Sequence, residues 1–286
     1  MKGIILAGGE GTRLYPLTEA ISKQILPVYD KPMIYYPIST LISLNISEIL
    51  IISNSYNLQI YKKLLKDGSQ WGINFKYAIQ ENANGIAESL LIAEEFSNED
   101  DVALILGDNI FISNTLNSQS TDQFTEGAMI FTIDVSDPER YGVIQFKNDL
   151  PYKIVEKPTT FLSSKAVTGL YFFDKYAAKY AKGLTPSNRG ELEITDLNNI
   201  YLGKNSLSIV DLGKNSIWLD AGTFTSLKES SEQISAMQSR SGFLLGSPEF
   251  ESYKQGFISE KYLKKYLKGK PKNDYFDLLK NSIDHN

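Results

Sequence analysis

Three glycines in four positions, Gly8, Gly9 and Gly11, close the apolar run GIILA at residues 3–7. Glycine lets backbone N–H groups approach a ligand closely, and consecutive N–H groups in such a turn form a concave anion site. Arg13 follows and supplies a planar guanidinium that can hold two phosphoryl oxygens at once. An ordinary strand–turn–helix connection also accounts for the glycines. Two aspartates share a context further on: Asp108 ends DVALILGD and Asp220 ends SIWLD. Either alone reads as a turn former after a strand. At neighbouring strand ends the pair would suit Mg2+, which takes one or two carboxylates plus phosphate oxygens.

Two familiar phosphate loops do not fit. A Walker loop needs Lys and then Ser or Thr after its last glycine, and Gly11 is followed by Thr12 and Arg13. The dinucleotide fingerprint needs a third glycine where Leu14 stands. Its acidic partner would be Asp30, which precedes an expected helix instead of ending a second strand.

Composition removes other chemistry. The chain has 286 residues and no cysteine, and its one histidine is His285. Thiol nucleophiles, disulfides, Cys-rich zinc sites and Ser–His–Asp hydrolysis are therefore not expected. Carboxylates, lysines, arginines and backbone amides remain, a set suited to hard cations and phosphates. Hydrophobic residues at 42 % and charged residues at 22 % permit a sizeable core. A net charge of −5 argues against nucleic acid as the main partner. No apolar run is long enough to span a membrane. Lys2 leads straight into the first apolar run, so no secretory leader and a cytoplasmic location are expected.

These side chains need elements to position them. Strands are expected at 2–7, 48–53, 74–79 and 101–109, alternating with helices at 33–44, 57–66 and 86–96. The segment Asp30, Lys31, Pro32 looks like the start of the first of these helices. This rhythm predicts a mostly parallel sheet with helices on both faces. Further strands follow at 127–135, 141–146, 152–156, 166–173, 206–211 and 216–219, with helices at 175–182, 189–203 and 223–238. Residues 247–286 read as two or three amphipathic helices. The boundary is expected near Gly242–Pro248, giving a catalytic domain 1–241 and a helical extension 242–286.

The longer pattern GG-E-GTRL-x-P-L-T-x(4)-K-Q-x-L-P, residues 8–27, resembles the sugar nucleotidyltransferase family. PVYDKPMIYYPIS, DGSQWG, LGDNIF, DPERYGV, EKP, AVTGLYFFD and RGELEITD follow in matching order, and the resemblance covers about residues 1–260. It implies a Rossmann-like three-layer αβα (GT-A-like) fold with a small strand-rich sugar-binding part and C-terminal helices. It implies thymidylyl transfer from dTTP to glucose 1-phosphate with Mg2+, by direct in-line attack, in a homotetramer. It places Asp108 and Asp220 on the metal, Arg13 on the departing phosphates and Lys23 beside the reacting centre. Lys157 would hold the sugar phosphate. Gln24 and Gln80 would read the base, with Leu6, Gly8, Gly9, Gly11, Thr12 and Gly85 completing the nucleotide site. Asp108, Tyr141, Gly142, Glu156, Thr168, Gly169, Glu193 and Trp218 would surround the sugar phosphate. The same chemistry with another sugar 1-phosphate or with UTP stays open, as does a nucleotide-sensing module without turnover.

The chain departs from the family pattern at several positions. Glu10 stands where Ser is common, Asn84 replaces Asp, Glu88 replaces Gln, and Ala221 replaces Thr. The family also carries a second nucleotide site for feedback by a dTDP-sugar, with a Gly–His pair and an Arg. Here Ile112–Ser113–Asn114 and Lys254 occupy the corresponding places. Lysine cannot reproduce a bidentate arginine contact, so weakened feedback is expected.

Overall fold

In this computed structural model, residues 1–9 and 11–284 are described; the expectations placed on Glu10 and His285 lie outside them. The apolar run Lys2–Leu6 forms the central strand β1, flanked in parallel by Glu48–Ser53 (β2), with Asn74–Ile79 (β3) beyond it, and by Val102–Leu106 (β4) on its other side. Strand side chains alternate between faces, and both faces here are apolar. Ile5 of β1 and Ala103 and Ile105 of β4 point into one core layer. That layer also holds Ile38, Leu41 and Ile42 from helix Tyr35–Ser43, and Tyr61 and Leu65 from helix Ser55–Leu65. Ile4, Val102 and Leu104 point into the opposite layer, with Leu90 and Ala93 and with Leu197 and Tyr201 of helix Ile194–Gly203. Three layers result, helix on sheet on helix. Each fully buried Ile or Leu stabilises the fold by about 1.5–3 kcal/mol.

Beyond β4 the pattern changes. Asn109–Ile112 (β5) leaves the large sheet. Ala128–Asp134 (β6), Gly142–Lys147 (β7), Leu150–Glu156 (β8) and Lys165–Phe173 (β9) return to it, and Leu207–Asp211 (β10) pairs in parallel with β6. The strand β9 runs antiparallel to β4, β6 and β7. Among the described residues the sheet has nine strands, parallel at its N-terminal half and mixed thereafter. A separate two-stranded ribbon joins β5 to Ile217–Asp220 (β11).

Several elements differ from expectation. Asp30, Lys31 and Pro32 do not open a helix; Lys31–Pro32 pairs with Pro27–Val28, and the helix starts at Tyr35. The cause is Lys31, which is buried and ion-paired to Asp30, with Gln238 accepting from its ammonium. The strand foreseen over 101–109 ends at Leu106, and Asn109 starts a different ribbon. The helix foreseen over 86–96 divides at Ala93. Helix Phe224–Ser241 stops at Gly242, whose φ of 73° suits glycine. Three helices follow, Pro248–Lys254, Glu260–Lys268 and Asp274–Asp284, with their own apolar cluster around Phe250, Leu263 and Leu279. Among the described residues no helix is long and apolar enough to cross a membrane.

Candidate active site

The ribbon β5–β11 brings the two strand-end aspartates together. Asp220 lies opposite Asn109, and the Ala221 N–H donates to the Asp108 carbonyl at 3.3 Å. Both carboxylates are largely buried. Asp108 forms an ion pair with Lys23 and accepts from Asn109 Nδ2 at 2.9 Å. Burial alone would raise the Asp108 carboxyl, but the Lys23 ammonium outweighs it and holds that group below the usual aspartate range. Asp220 is pushed up, first by burial and then by the Asp108 charge. Arg140 reaches it at 3.3 Å while bonding Asp137 at 2.6 Å. Gly222 is confined here: a Cβ would fall 2.8 Å from Asp220 Oδ1 and 3.0 Å from Arg13 Nη2.

A pocket of about 230 Å3 opens beside the carboxylates. It gathers Arg13, Asp108, Tyr141, Gly142, Glu156, Lys157, Thr168, Gly169, Glu193, Trp218 and Asp220, all singled out from the sequence. Asn109 organises one wall. Its Oδ1 accepts from the Gly169 N–H at 3.0 Å and from Trp218 Nε1 at 2.6 Å. The Trp218 ring lies 4.8 Å from that of Tyr141, whose phenol is pushed up to about 12 by burial and the Asp220 charge. On the opposite wall Thr195 donates to Glu156 at 2.6 Å, and a Cβ at Gly142 would stand 3.3 Å from an oxygen of each. The Lys157 backbone takes a positive φ of 44° and donates to the Tyr141 carbonyl at 2.9 Å. Its half-exposed ammonium is 3.8 Å from Glu156. The Thr168 hydroxyl donates to the Phe131 carbonyl inside the sheet.

One expectation about this wall is corrected. The helix expected over 189–203 begins at Ile194, and Glu193 is its extended N-cap. The Glu193 carboxylate turns back to Ser187 at 2.6 Å and to Arg189 at 2.8 and 2.9 Å. Those bonds hold residues 187–193 as a loop.

The glycine loop lies beyond the carboxylates. Leu6 ends β1, Gly9 and Gly11 have φ of 95° and 61°, and Thr12 opens a short turn that carries Arg13. Gln24 and Gln80 converge on Gly8: Gln24 Nε2 donates to its carbonyl at 3.4 Å, and a Cβ there would be 3.2 Å from Gln80 Oε1. Gly85 was expected to give a nucleotide access to the backbone. Leu192 packs against it, its carbonyl 2.3 Å from where a Cβ at 85 would stand. Leu192 N–H donates to Asn84 at 2.7 Å and Ala87 N–H to Leu192 at 3.2 Å, so the loop after Gln80 is bolted to the loop carrying Glu193.

Sequence reasoning passed over Asn109, Arg140, Arg189 and Thr195. All sit inside or beside quoted motifs, next to Asp108, Tyr141 and Glu193, which was the signal available. A larger cavity of about 440 Å3 lies between helix Tyr35–Ser43 and the tail and includes Ser113, Asn114 and Lys254. It lacks the paired carboxylates.

The nucleotidyl transferase family matches residues 2–237. The chain belongs to this family. A glucose-1-phosphate thymidylyltransferase of Xanthomonas campestris is 47 % identical over 96 % of this chain and 94 % of its own length. One from Neisseria meningitidis is 46 % identical over 98 % of each, and one from Mycobacterium tuberculosis 40 % over the whole of both. A crystal structure from Bacillus anthracis, provisionally assigned the same activity and holding sucrose, superposes with a TM-score of 0.76 at 42 % identity, covering 82 % of this chain and 94 % of that one. A UDP-glucose pyrophosphorylase in complex with UDP-glucose superposes at 0.70 with 23 % identity, covering 82 % and 98 %, which shows the shared fold alone. Nucleotidyl transferases generally work with a divalent metal. The donors available here are hard carboxylate oxygens, with no cysteine in the chain. Among the described residues no group of three or more His, Cys, Asp or Glu side chains is placed to hold a metal ion; a cation held by Asp108 and Asp220 would complete its shell with phosphate oxygens and water.

Proposed function

We propose that this protein transfers the thymidylyl group of dTTP to glucose 1-phosphate, giving dTDP-glucose and pyrophosphate. The observation that carries the reading is the antiparallel ribbon that sets Asp108 and Asp220 side by side, next to Arg13, Lys23 and Lys157, in a chain akin to thymidylyltransferases over nearly its whole length. An oxygen of the sugar phosphate attacks the α-phosphorus as the bond to the β-phosphate oxygen breaks, and pyrophosphate departs. No covalent enzyme intermediate is needed, which agrees with a chain lacking cysteine. Such a reaction crowds anions together, so positive groups are its main requirement. Arg13 faces the departing phosphates and Lys23 the reacting centre. Lys157 holds the sugar phosphate, and Tyr141, Gly142, Glu156, Gly169, Glu193 and Trp218 enclose the hexose. Asp108 and Asp220 hold Mg2+, which when bound offsets charge on the phosphoryl oxygens. Gln24 and Gln80 read the base above the glycine loop.

In this reading residues 1–241 form the catalytic unit, 242–286 are an extension, and a homotetramer works in the cytoplasm. Release of pyrophosphate is the test: it must require dTTP and glucose 1-phosphate together. Preference for UTP or for another sugar phosphate in kcat/KM would move the assignment within the family. No release with any triphosphate would leave a binding module.

A further inference from the structure

The two glutamines at Gly8 are each held in one orientation by neighbouring side chains. The Gln80 amide is buried, and its Nε2 faces Glu88 Oε2 at 2.6 Å and the Gly85 carbonyl at 3.4 Å. An ionised carboxylate and a carbonyl only accept, so the NH2 end of Gln80 is fixed on that side and its oxygen turns toward Gly8. Asn84 Nδ2 donates to the other Glu88 oxygen at 2.9 Å, which keeps the carboxylate in place. Gln24 is held the opposite way. Its Oε1 accepts from the Ser22 hydroxyl, whose Oγ in turn accepts from Tyr61 OH at 2.8 Å. Its Nε2 is left facing the acceptor-only carbonyl of Gly8. One amide nitrogen and one amide oxygen therefore lie beside Gly8.

We propose that Glu88 is a positioning residue for base selection: with the Ser22–Tyr61 pair acting on Gln24, it sets a donor–acceptor pattern that accepts an N–H flanked by carbonyls. The inference rests on the thymidylyl-transfer reading and adds how the base is chosen. Thymine and uracil present that edge: N3–H donates to Gln80 Oε1, and a ring carbonyl accepts from Gln24 Nε2. Cytosine presents an unprotonated N3 and an amino group, so it meets acceptor with acceptor and donor with donor. A site built around buried polar groups rejects the analogue that leaves them unpaired. Were Gln80 free to flip, it would offer NH2 to cytosine N3 and the discrimination would fall.

The test compares kcat/KM for dTTP, dUTP and dCTP at saturating glucose 1-phosphate in the full chain. Glu88→Met removes the acceptor at similar volume. It should lower kcat/KM for dTTP and dUTP by about tenfold and shrink the dTTP-to-dCTP ratio by about as much or more, the worth of one hydrogen bond. Its KM for glucose 1-phosphate should stay at the wild-type value. Glu88→Gln keeps an oxygen for Gln80 Nε2 and should retain most of the ratio. Tyr61→Phe, which loosens Gln24 instead, should move the ratio in the same direction and decides the matter if Glu88→Met does not fold. An unchanged ratio in the folded variants overturns the proposal, as does a wild-type protein that turns over dCTP as readily as dTTP. Absence of dTTP turnover in the wild type would overturn the functional reading itself and this inference with it.

Discussion

Asn109→Ala tests how the site is held together. The Asn109 side chain is 2 % exposed and serves three partners: it accepts from the Gly169 N–H and Trp218 Nε1, and it donates to Asp108. Truncation strands two buried donors at about 1–3 kcal/mol each, so about 2–6 kcal/mol in total. The lower half of that range is expected, because Trp218 borders the open pocket and water can reach its indole. For a domain of this size that lowers Tm by roughly 5–12 °C. Calorimetry or urea melts followed by circular dichroism would measure it. Fluorescence reports the local event, since the chain has two tryptophans and the other, Trp71, is buried against Tyr35 and Phe75. Any change in emission of the folded variant therefore belongs to Trp218. Turnover should fall by about 10²-fold, the usual effect of a small misplacement of reacting groups. A variant with unchanged melting, unchanged emission and unchanged kcat/KM would refute this account of the wall.

Three further outcomes are expected. Asp220 has a raised carboxyl while that of Asp108 is lowered, so Asp220 is the first of the pair to protonate as pH falls. A raised folded value contributes stability at low pH that is lost as pH rises from the unfolded aspartate value of 3.8 through the folded one. Asp220→Asn should thus melt above wild type at neutral pH, lose that advantage in acid, and be nearly inactive; parallel pH-stability curves would refute it. Gly85→Ala meets Leu192 at 2.3 Å with a φ of 108°, and such a position costs about 1–3 kcal/mol with a side chain present. It should raise KM for dTTP and glucose 1-phosphate together, because the joint spans both loops; a change in only one would sink the idea that they are coupled. Titration with dTDP-rhamnose should inhibit weakly, since Lys254 at the larger cavity offers a point charge in place of a fork. Strong inhibition abolished by changes in the tail would contradict this.

What could be read from the sequence was local, and what could not was set by long-range pairing. The strand β1 was legible because its run is apolar on both faces, and the glycines after it because φ of 95° and 61° suit them. Asp108 and Asp220 were each legible as strand ends, but their meeting depends on β5 pairing with β11, and the Asn109–Trp218 bond within that ribbon spans 109 positions. The Asp30–Lys31–Pro32 turn misled for the same reason. A lysine before a proline reads as a helix entrance until Gln238, 207 positions away, is seen accepting from its ammonium. Gly85 shows a subtler limit. Its need for a bare backbone was visible, but the crowding by Leu192 was not, because Leu192 is remote in the sequence. A glycine beside a binding motif signals close approach without saying by what, and only the folded chain tells whether that neighbour is substrate or backbone. Leu192 makes the position a joint between two loops, and the chemistry rests on residues whose placement those loops and the ribbon decide.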